Sequence, residues 1–433
     1  MSRPESIVIL AAGQGMRMKA GFPKVLAPLC GRAMLDWVLD RALELEPRRV
    51  LLVVGHGADD VRRSVAERDR RIGFVLQEPQ LGTGDALRRC LGELEGSTGS
   101  VVVLSGDMPL LSAASLERLC AAQAETGGAA LLSARPADAR SFGRVVRDAS
   151  GALQRIVEER DAPPEVRALR EVNLGVYAFA ALDLARELPR LGRDNAQREY
   201  YLTDVVAALV AAGRPVAAVV LEDEREAIGV NTLAQLAEAR AALQARILEA
   251  HMAAGVWVED PATTYIDHGV SIGSGTRILP CTVIRSGVEI GTGCEVGPFT
   301  HLRAGTVLED GAEMGNFTEA KASRLGRRSK AKHLAYLGDA TIGERANIGA
   351  GTVFANYDGK EKHATKVGDR SFIGSGTILV APASVGEGAV TGAGAVVTRG
   401  SHVPPGETWV GVPARPIRRR GAPEADGGSP HRS

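Results

Sequence analysis

The sequence predicts an α/β chain in two parts: a mostly parallel sheet with helices on both faces, then a parallel β-helix. Strand-like and helix-like runs alternate through the first part. An aliphatic residue then returns at every sixth position, at Ile266, Ile272, Ile278, Ile284, Ile290, Val296, Leu302, Leu308 and Met314. That period fits neither a helix face nor a half-buried strand, and a short fixed period is the mark of a solenoid with one flat strand per hexapeptide. Polar, ionisable residues gather where the beat slips.

Taken in order, residues 6–10 read as a strand, followed by a glycine-rich turn, a helix at 34–45, a strand at 49–54 and a helix at 58–67. Further strands are expected at 74–77, 100–104, 129–134 and 216–221. Such alternation places ligands over the carboxyl ends of the strands. Residues 232–254 are rich in Ala, Leu, Glu and Arg without internal Pro or Gly, which predicts a connecting helix. The expected organisation is a first domain at 1–231, a linker helix at 232–255, a β-helix at 256–417 and a disordered tail at 418–433, too poor in apolar residues to order itself.

Within the solenoid the beat resumes one residue early at Leu325, Ala331 and Leu337, shifts again to Ile342, Ile348 and Phe354, and restarts at Val367, Ile373, Leu379 and Val385. A solenoid accommodates an insertion by extruding it from one edge, and such loops commonly form a binding face. The extruded stretch is 356–366, and Lys321, Lys330, Lys332, His333 and Tyr336 lie near the earlier slips.

Acidic residues number 52 against 52 Lys and Arg, so the total charge suggests neither a nucleic-acid coat nor a membrane-surface role. Cys30, Cys90, Cys120, Cys281 and Cys294 are odd in number and lack a C-x-x-C pair, which reads as reduced thiols of a cytoplasmic protein. Nothing before Ile7 resembles an export leader, and Gly213-Arg214-Pro215 splits the apolar run at 205–221. A soluble protein is expected.

The turn Leu10-Ala11-Ala12-Gly13-Gln14-Gly15-Met16-Arg17-Met18, with Lys24 after it, suits close approach of a phosphate chain. It lacks both the dinucleotide fingerprint and the P-loop pattern, which argues against hydride transfer and P-loop hydrolysis. Alone it reads more readily as an ordinary strand-to-helix turn with an incidental Arg. A strand-terminal Asp such as Asp107 is likewise often a turn residue, and a His among lysines is often just solvated.

Taken together, these segments resemble the sugar-phosphate nucleotidyltransferases, a Rossmann-like fold. The resemblance assigns Leu10, Ala11, Ala12 and Gly13 to the nucleotide, with Arg17 and Lys24 as catalytic cations. In Gln77-Glu78-Pro79-Gln80-Leu81-Gly82-Thr83 it implies that Gln77, Gln80, Gly82 and Thr83 read the base. Asp107, in Ser105-Gly106-Asp107-Met108-Pro109, and Asn231 would hold Mg2+. Gly143, Glu158 and Asn173 would line a sugar pocket, where Leu174 stands in place of a hydroxyl-bearing residue.

The solenoid resembles the acetyltransferase half of the bacterial enzymes that join glucosamine-1-phosphate N-acetyltransferase to N-acetylglucosamine-1-phosphate uridyltransferase. The closest stretches are 315–321, 329–339 and Asn356-Tyr357-Asp358-Gly359. The resemblance implies a left-handed β-helix, a homotrimer, acetyl-CoA and UTP as co-substrates, and a product feeding cell-wall precursors. His333 would be the base and Asn356 would orient the amine. Arg303, Lys321, Tyr336, Tyr357 and Lys362 would hold the sugar phosphate, and Asn347 the sugar or acetyl end. Ser375 would donate to the oxyanion, Ala393 would lie along the pantetheine arm, and Arg415 or 418–420 would supply a cation for the coenzyme. From the residues alone, a nucleotidyltransferase with a regulatory β-helix and a trimeric scaffold without chemistry also remain open.

Overall fold

The computed structural model describes residues 3–417 apart from Ala20 and Arg140, and the predicted disordered tail lies outside the described residues. The strand Ser6–Leu10 is apolar on both faces, as a central parallel strand must be. It runs parallel to Arg49–Val54 on one side and to Ser100–Ser105 on the other. The sheet order is Val216–Val220, Ala129–Ala134, Val172–Ala180, Ser100–Ser105, Ser6–Leu10, Arg49–Val54, Ile72–Leu76. Two apolar layers cover it. Ile7, Ile9, Leu52 and Val102 pack with Leu35, Leu39, Leu116 and Leu119 on one face, and Val8, Leu51, Val53 and Val103 pack with Leu87, Leu184, Val205 and Leu209 on the other.

One strand departs from the predicted alternation. Val172–Ala180 is inserted antiparallel between Ser100–Ser105 and Ala129–Ala134, and it also pairs with Gly143–Arg147. Gly175, at a φ of 71°, sits where the pairing register shifts between Asn173 and Tyr177, so a bulge and a polar Asn hide the strand's pattern in the sequence.

The chain divides into two compact units, Met1–Leu243 and Gln244–Ser433. The division falls within the helix Leu233–Ala253. Its end belongs to the solenoid, where Leu248 packs into the inner core and the Gln244 carboxamide donates to the Ile266 carbonyl at 3.2 Å.

The second unit stacks short parallel strands in three faces. The first face begins with Trp257–Val258 and Arg277–Ile278, the second with Tyr265–Ile266 and Val283–Ile284, the third with Ser271–Ile272 and Glu289–Ile290. The aliphatic beat points inward: from Ile278 to Val385 its members are buried. The slips have one structural origin. The short steps from Ala320 to Leu325 and from Leu337 to Ile342, and the long one from Phe354 to Val367, all fall at the edge between the second and third faces. At the short steps the corner is turned by a single left-handed residue, Ala322 or Asp339.

Candidate functional site

In the first unit the carboxyl ends of the sheet strands open onto a cleft of about 670 Å³. The turn after Ser6–Leu10 supplies Leu10, Ala11, Ala12, Gly13 and Arg17, and Lys24 follows. The segment after Ile72–Leu76 supplies Gln77, Gln80, Gly82 and Thr83, and the end of Ser100–Ser105 supplies Asp107, with Glu158 and Asn231 completing the predicted set on this wall. Gly15 has a φ of 62°, and a side chain there would press on Lys24 Cβ at 2.8 Å, so the turn needs its glycine.

The cleft's charged centre is tightly wired. Lys24 Nζ donates to Asp107 Oδ2 at 2.5 Å and to Asn231 Oδ1 at 3.0 Å, while Arg17 Nη2 reaches the same Asn231 oxygen at 2.9 Å. The Ser105 hydroxyl donates to Asp107 Oδ1 at 2.6 Å. Burial by itself pushes the Asp107 carboxyl up, but the Lys24 ammonium and the Ser105 hydroxyl outweigh it and hold the group below the usual carboxylate range. A carboxylate oxygen and a carboxamide oxygen thus converge on one cationic point. Such hard donors fit a divalent cation that keeps waters and takes its remaining ligands from phosphates.

In the segment expected to read a base, Gln77 is 3% exposed and donates to the Gly82 carbonyl at 2.9 Å and to Asp85 at 3.0 Å. Gln80 donates to the Ala12 carbonyl at 3.1 Å, which ties this segment to the glycine turn. A side chain on Gly82 would meet the Tyr200 carbonyl at 2.6 Å.

On the side expected to hold a sugar, Gly143 and Asn173 pair across adjacent strands; a side chain on Gly143 would come within 3.6 Å of Glu158 Oε2, and the Asn173 carboxamide donates to the Tyr177 hydroxyl at 2.7 Å. Leu174 is 2% exposed and belongs to the core, so it does not stand in for a hydroxyl at the cleft. Glu158 does face the cleft. Burial raises its pKa, with Asp204, Asp161 and Glu199 acting in the same direction against a hydrogen bond from the Thr203 hydroxyl. Ser105, Glu199, Gln197 and Arg160 also line the space. Ser105 was within reach of sequence reading, standing two residues before Asp107, whereas 197–199 carries no recognisable pattern.

In the second unit the expected residues fall on two edges flanking the second face. His333 ends the strand Lys330–His333 at the edge between first and second faces. Going up the stack, the Gly351 amide donates to the His333 carbonyl at 3.4 Å, the Gly376 amide to that of Ala350 at 2.7 Å, and the Gly394 amide to that of Ser375 at 2.7 Å. His333, Ser375 and Ala393 therefore share one edge, all exposed. Leu334 beside His333 is left-handed, which turns the chain into the next face.

The opposite edge is the irregular one, and there Arg303, Lys321 and Lys362 converge. The Lys321 ammonium is held below its usual range first by Lys362 close beside it, with Arg303 adding to the effect and Asp339 opposing it. Arg303 keeps Glu319 at 2.9 Å. The Asn356 carboxamide donates to Asp339, a partner whose position at the end of Tyr336-Leu337-Gly338-Asp339 had marked it only as part of a motif. Tyr336 lies on the second face between the two edges, flanked by Glu319 and Val353. Tyr357, second residue of the extruded stretch, bridges to Lys362. Asn347 is not brought to this group: it lies on the first face, between Lys330 and Phe372. Arg415 sits on the closing strand Arg415–Pro416, antiparallel to Thr408–Val410, and 418–420 lies outside the described residues. No helix among the described residues is long and apolar enough to cross a membrane.

The family model for the MobA-like NTP transferase domain matches residues 7–255, and that for bacterial transferase hexapeptide repeats matches 269–304. A bifunctional protein GlmU of Streptomyces avermitilis is 44% identical to this chain over 94% of it and 92% of the relative. The bifunctional protein GlmU of Thermobifida fusca is also 44% identical, over 98% and 96%, and that of Trichlorobacter lovleyi 44% over 92% and 94%. With its α/β unit followed by a left-handed β-helix of hexapeptide repeats, the chain belongs to the GlmU family of bifunctional transferases, joining a nucleotidyltransferase to an acetyltransferase.

Proposed function

We propose that the second unit transfers acetyl from acetyl-CoA to glucosamine-1-phosphate, and that the first then joins the N-acetylglucosamine-1-phosphate to UTP, yielding UDP-N-acetylglucosamine and pyrophosphate. The observation that carries this reading is the solenoid's arrangement: Arg303, Lys321 and Lys362 converge on one edge and His333 stands on the next, across one short strand. A 1-phosphate on the cations would leave the neighbouring 2-amine directed across Tyr336 toward the imidazole. His333 takes the amine proton as nitrogen attacks the thioester carbonyl, Ser375 donates to the developing oxyanion, and the carbon–sulfur bond breaks to release the thiol. Asn356, fixed by Asp339, orients the amine. Ala393, on the same edge as Ser375, lies along the coenzyme's arm.

In the first unit a phosphate oxygen of the sugar attacks the α-phosphorus of UTP and the bond to pyrophosphate breaks. Arg17 and Lys24 offset the charge of the meeting anions; Gln77, Gln80, Gly82 and Thr83 hold the base; Glu158 takes a sugar hydroxyl, with Gly143 and Asn173 shaping the strands behind it. Asp107 and Asn231 would hold Mg2+, which would supply further charge neutralisation at the triphosphate. A homotrimer is supported by two features. Asn347 lies on a different face from Tyr336, so one solenoid alone does not gather the whole set, and Phe299, Phe317 and Leu334 expose 51%, 59% and 62% of their surface along the edge that carries His333. The test is incubation with glucosamine-1-phosphate, acetyl-CoA, UTP and Mg2+, following thiol and pyrophosphate separately. Both must appear, and His333→Ala must abolish thiol release; retained release sinks the assignment.

A further inference from the structure

The extruded loop faces a physical difficulty: it holds the Lys362 ammonium close to that of Lys321, two like charges that the nearby Asp339 carboxylate only partly offsets. Something must hold it there. Asp358, at the loop's turn, is a hub. Its Oδ1 accepts from the backbone amides of Lys360 at 2.9 Å and Glu361 at 2.8 Å. Its Oδ2 lies 2.8 Å from His363 Nε2 and accepts from Arg399 Nη1 at 3.1 Å. Arg399 Nη2 also lies 3.2 Å from His363 Nε2. Arg399 belongs to a later coil, following the second-face strand Val396–Val397, so it ties the loop to the body of the solenoid. The His363 amide donates to the Asn356 carbonyl at 2.8 Å, which closes the loop's base. Lys362 lies between two residues of this clasp, Glu361 and His363.

We propose that Arg399 and His363 clasp Asp358 and so fix the extruded loop with Lys362 facing Lys321, making Arg399 a positioning residue for capture of the sugar phosphate. The inference rests on the reading that Lys362 holds that phosphate. Arg399 touches no substrate; it acts by keeping a cation in a place that charge repulsion would otherwise empty, so the anion arrives at a preorganised site. His363 and Asp358 supply the geometry within the loop, and Arg399 supplies the anchor outside it.

The experiment uses the full chain and steady-state acetyl transfer with glucosamine-1-phosphate and acetyl-CoA varied in turn. For Arg399→Ala the expected result is a KM for glucosamine-1-phosphate raised about tenfold, by loss of the charge-assisted hydrogen bond to Asp358, with kcat and the KM for acetyl-CoA held. Arg399→Lys restores part of the affinity. In a Lys362→Ala background, Arg399→Ala adds nothing further, because both act through one ammonium. Uridylyl transfer by the same preparation reports that the first unit is folded, and an unchanged thermal transition of the solenoid reports that the second is. An unchanged KM in Arg399→Ala, a loss confined to kcat, or an effect that adds fully to that of Lys362→Ala overturns the clasp. If Lys362→Ala itself leaves the KM unchanged, the phosphate assignment fails instead.

Discussion

Gly338 lies where the second face meets the candidate acetyl-transfer site, and replacing it by alanine is a one-carbon perturbation with a calculable effect. A methyl there would lie 2.6 Å from Asn356 Nδ2, 2.7 Å from Asn356 Cγ and 2.8 Å from Tyr336 Cε1, where ordinary contact begins near 3.4 Å. Asn356 and Tyr336 must therefore retreat by about 0.6–0.8 Å. The backbone at Gly338 is not left-handed, so the effect is steric alone. Asn356 is 6% exposed and tethered to Asp339, which leaves it little room to yield without swinging its carboxamide off the amine's position. Misplacing a positioning group by about 1 Å costs on the order of 100-fold, so acetyl transfer in Gly338→Ala is expected to fall about 10- to 100-fold in kcat/KM. Overpacking adds a destabilisation of about 1–3 kcal/mol, expected in the solenoid's thermal transition. Thiol release from acetyl-CoA measures the first effect, and pyrophosphate release from UTP and N-acetylglucosamine-1-phosphate, which uses the other unit, serves as the control. Unimpaired thiol release would refute the placement of Asn356 and Tyr336 beside the reacting amine.

Other expectations follow from the same geometry. Lys24→Met removes the cation that joins Asp107 to Asn231, and pyrophosphate release should fall by about 100-fold or more while thiol release is untouched; parallel losses of both would count against two independent sites. Phe354 is fully buried in the solenoid, so Phe354→Ala should cost about 3–5 kcal/mol in chemical denaturation of that unit. Glu158 gives a pH signature. Its folded-state pKa is raised, first by burial and then by neighbouring carboxylates, so the folded form binds the proton more tightly than the unfolded chain and stability declines as pH rises through the folded pKa. Glu158→Gln should therefore raise the unfolding temperature at pH 8 and leave it unchanged at a pH below the unfolded carboxylate range of about 4. Equal shifts at both pH values would show that the charge is not the cause.

Much of this was legible in the sequence because the strongest signals are repetitive or local. The six-residue beat marked the inward positions of the solenoid one by one, and the glycine turn, Gln77 and Asp107 fell at the strand ends where a parallel sheet puts its ligands. The slips marked the edge that carries Lys321 and the extruded loop, whereas His333, expected beside them, lies on the other flank of the second face; successive irregular steps stack only because each coil returns to the same corner, a relation that exists in three dimensions. What was hidden depended on pairing. The strand Val172–Ala180 carries a glycine bulge and runs against its neighbours, so neither Asn173's turn toward Tyr177 nor Leu174's burial could be read from a motif. Asp339 and Arg399 act through partners 17 and 41 residues away, beyond the reach of any local pattern.

The central claim is that two chemically independent sites lie on one chain, and a paired assay of His333→Ala and Asp107→Asn tests it most directly. With glucosamine-1-phosphate, acetyl-CoA, UTP and Mg2+ supplied together, His333→Ala should release no thiol yet make pyrophosphate as soon as N-acetylglucosamine-1-phosphate is added. Asp107→Asn should release thiol at the parent rate and accumulate the acetylated sugar phosphate without pyrophosphate. Loss of both products in either variant, or thiol release surviving without the His333 imidazole, would contradict the account.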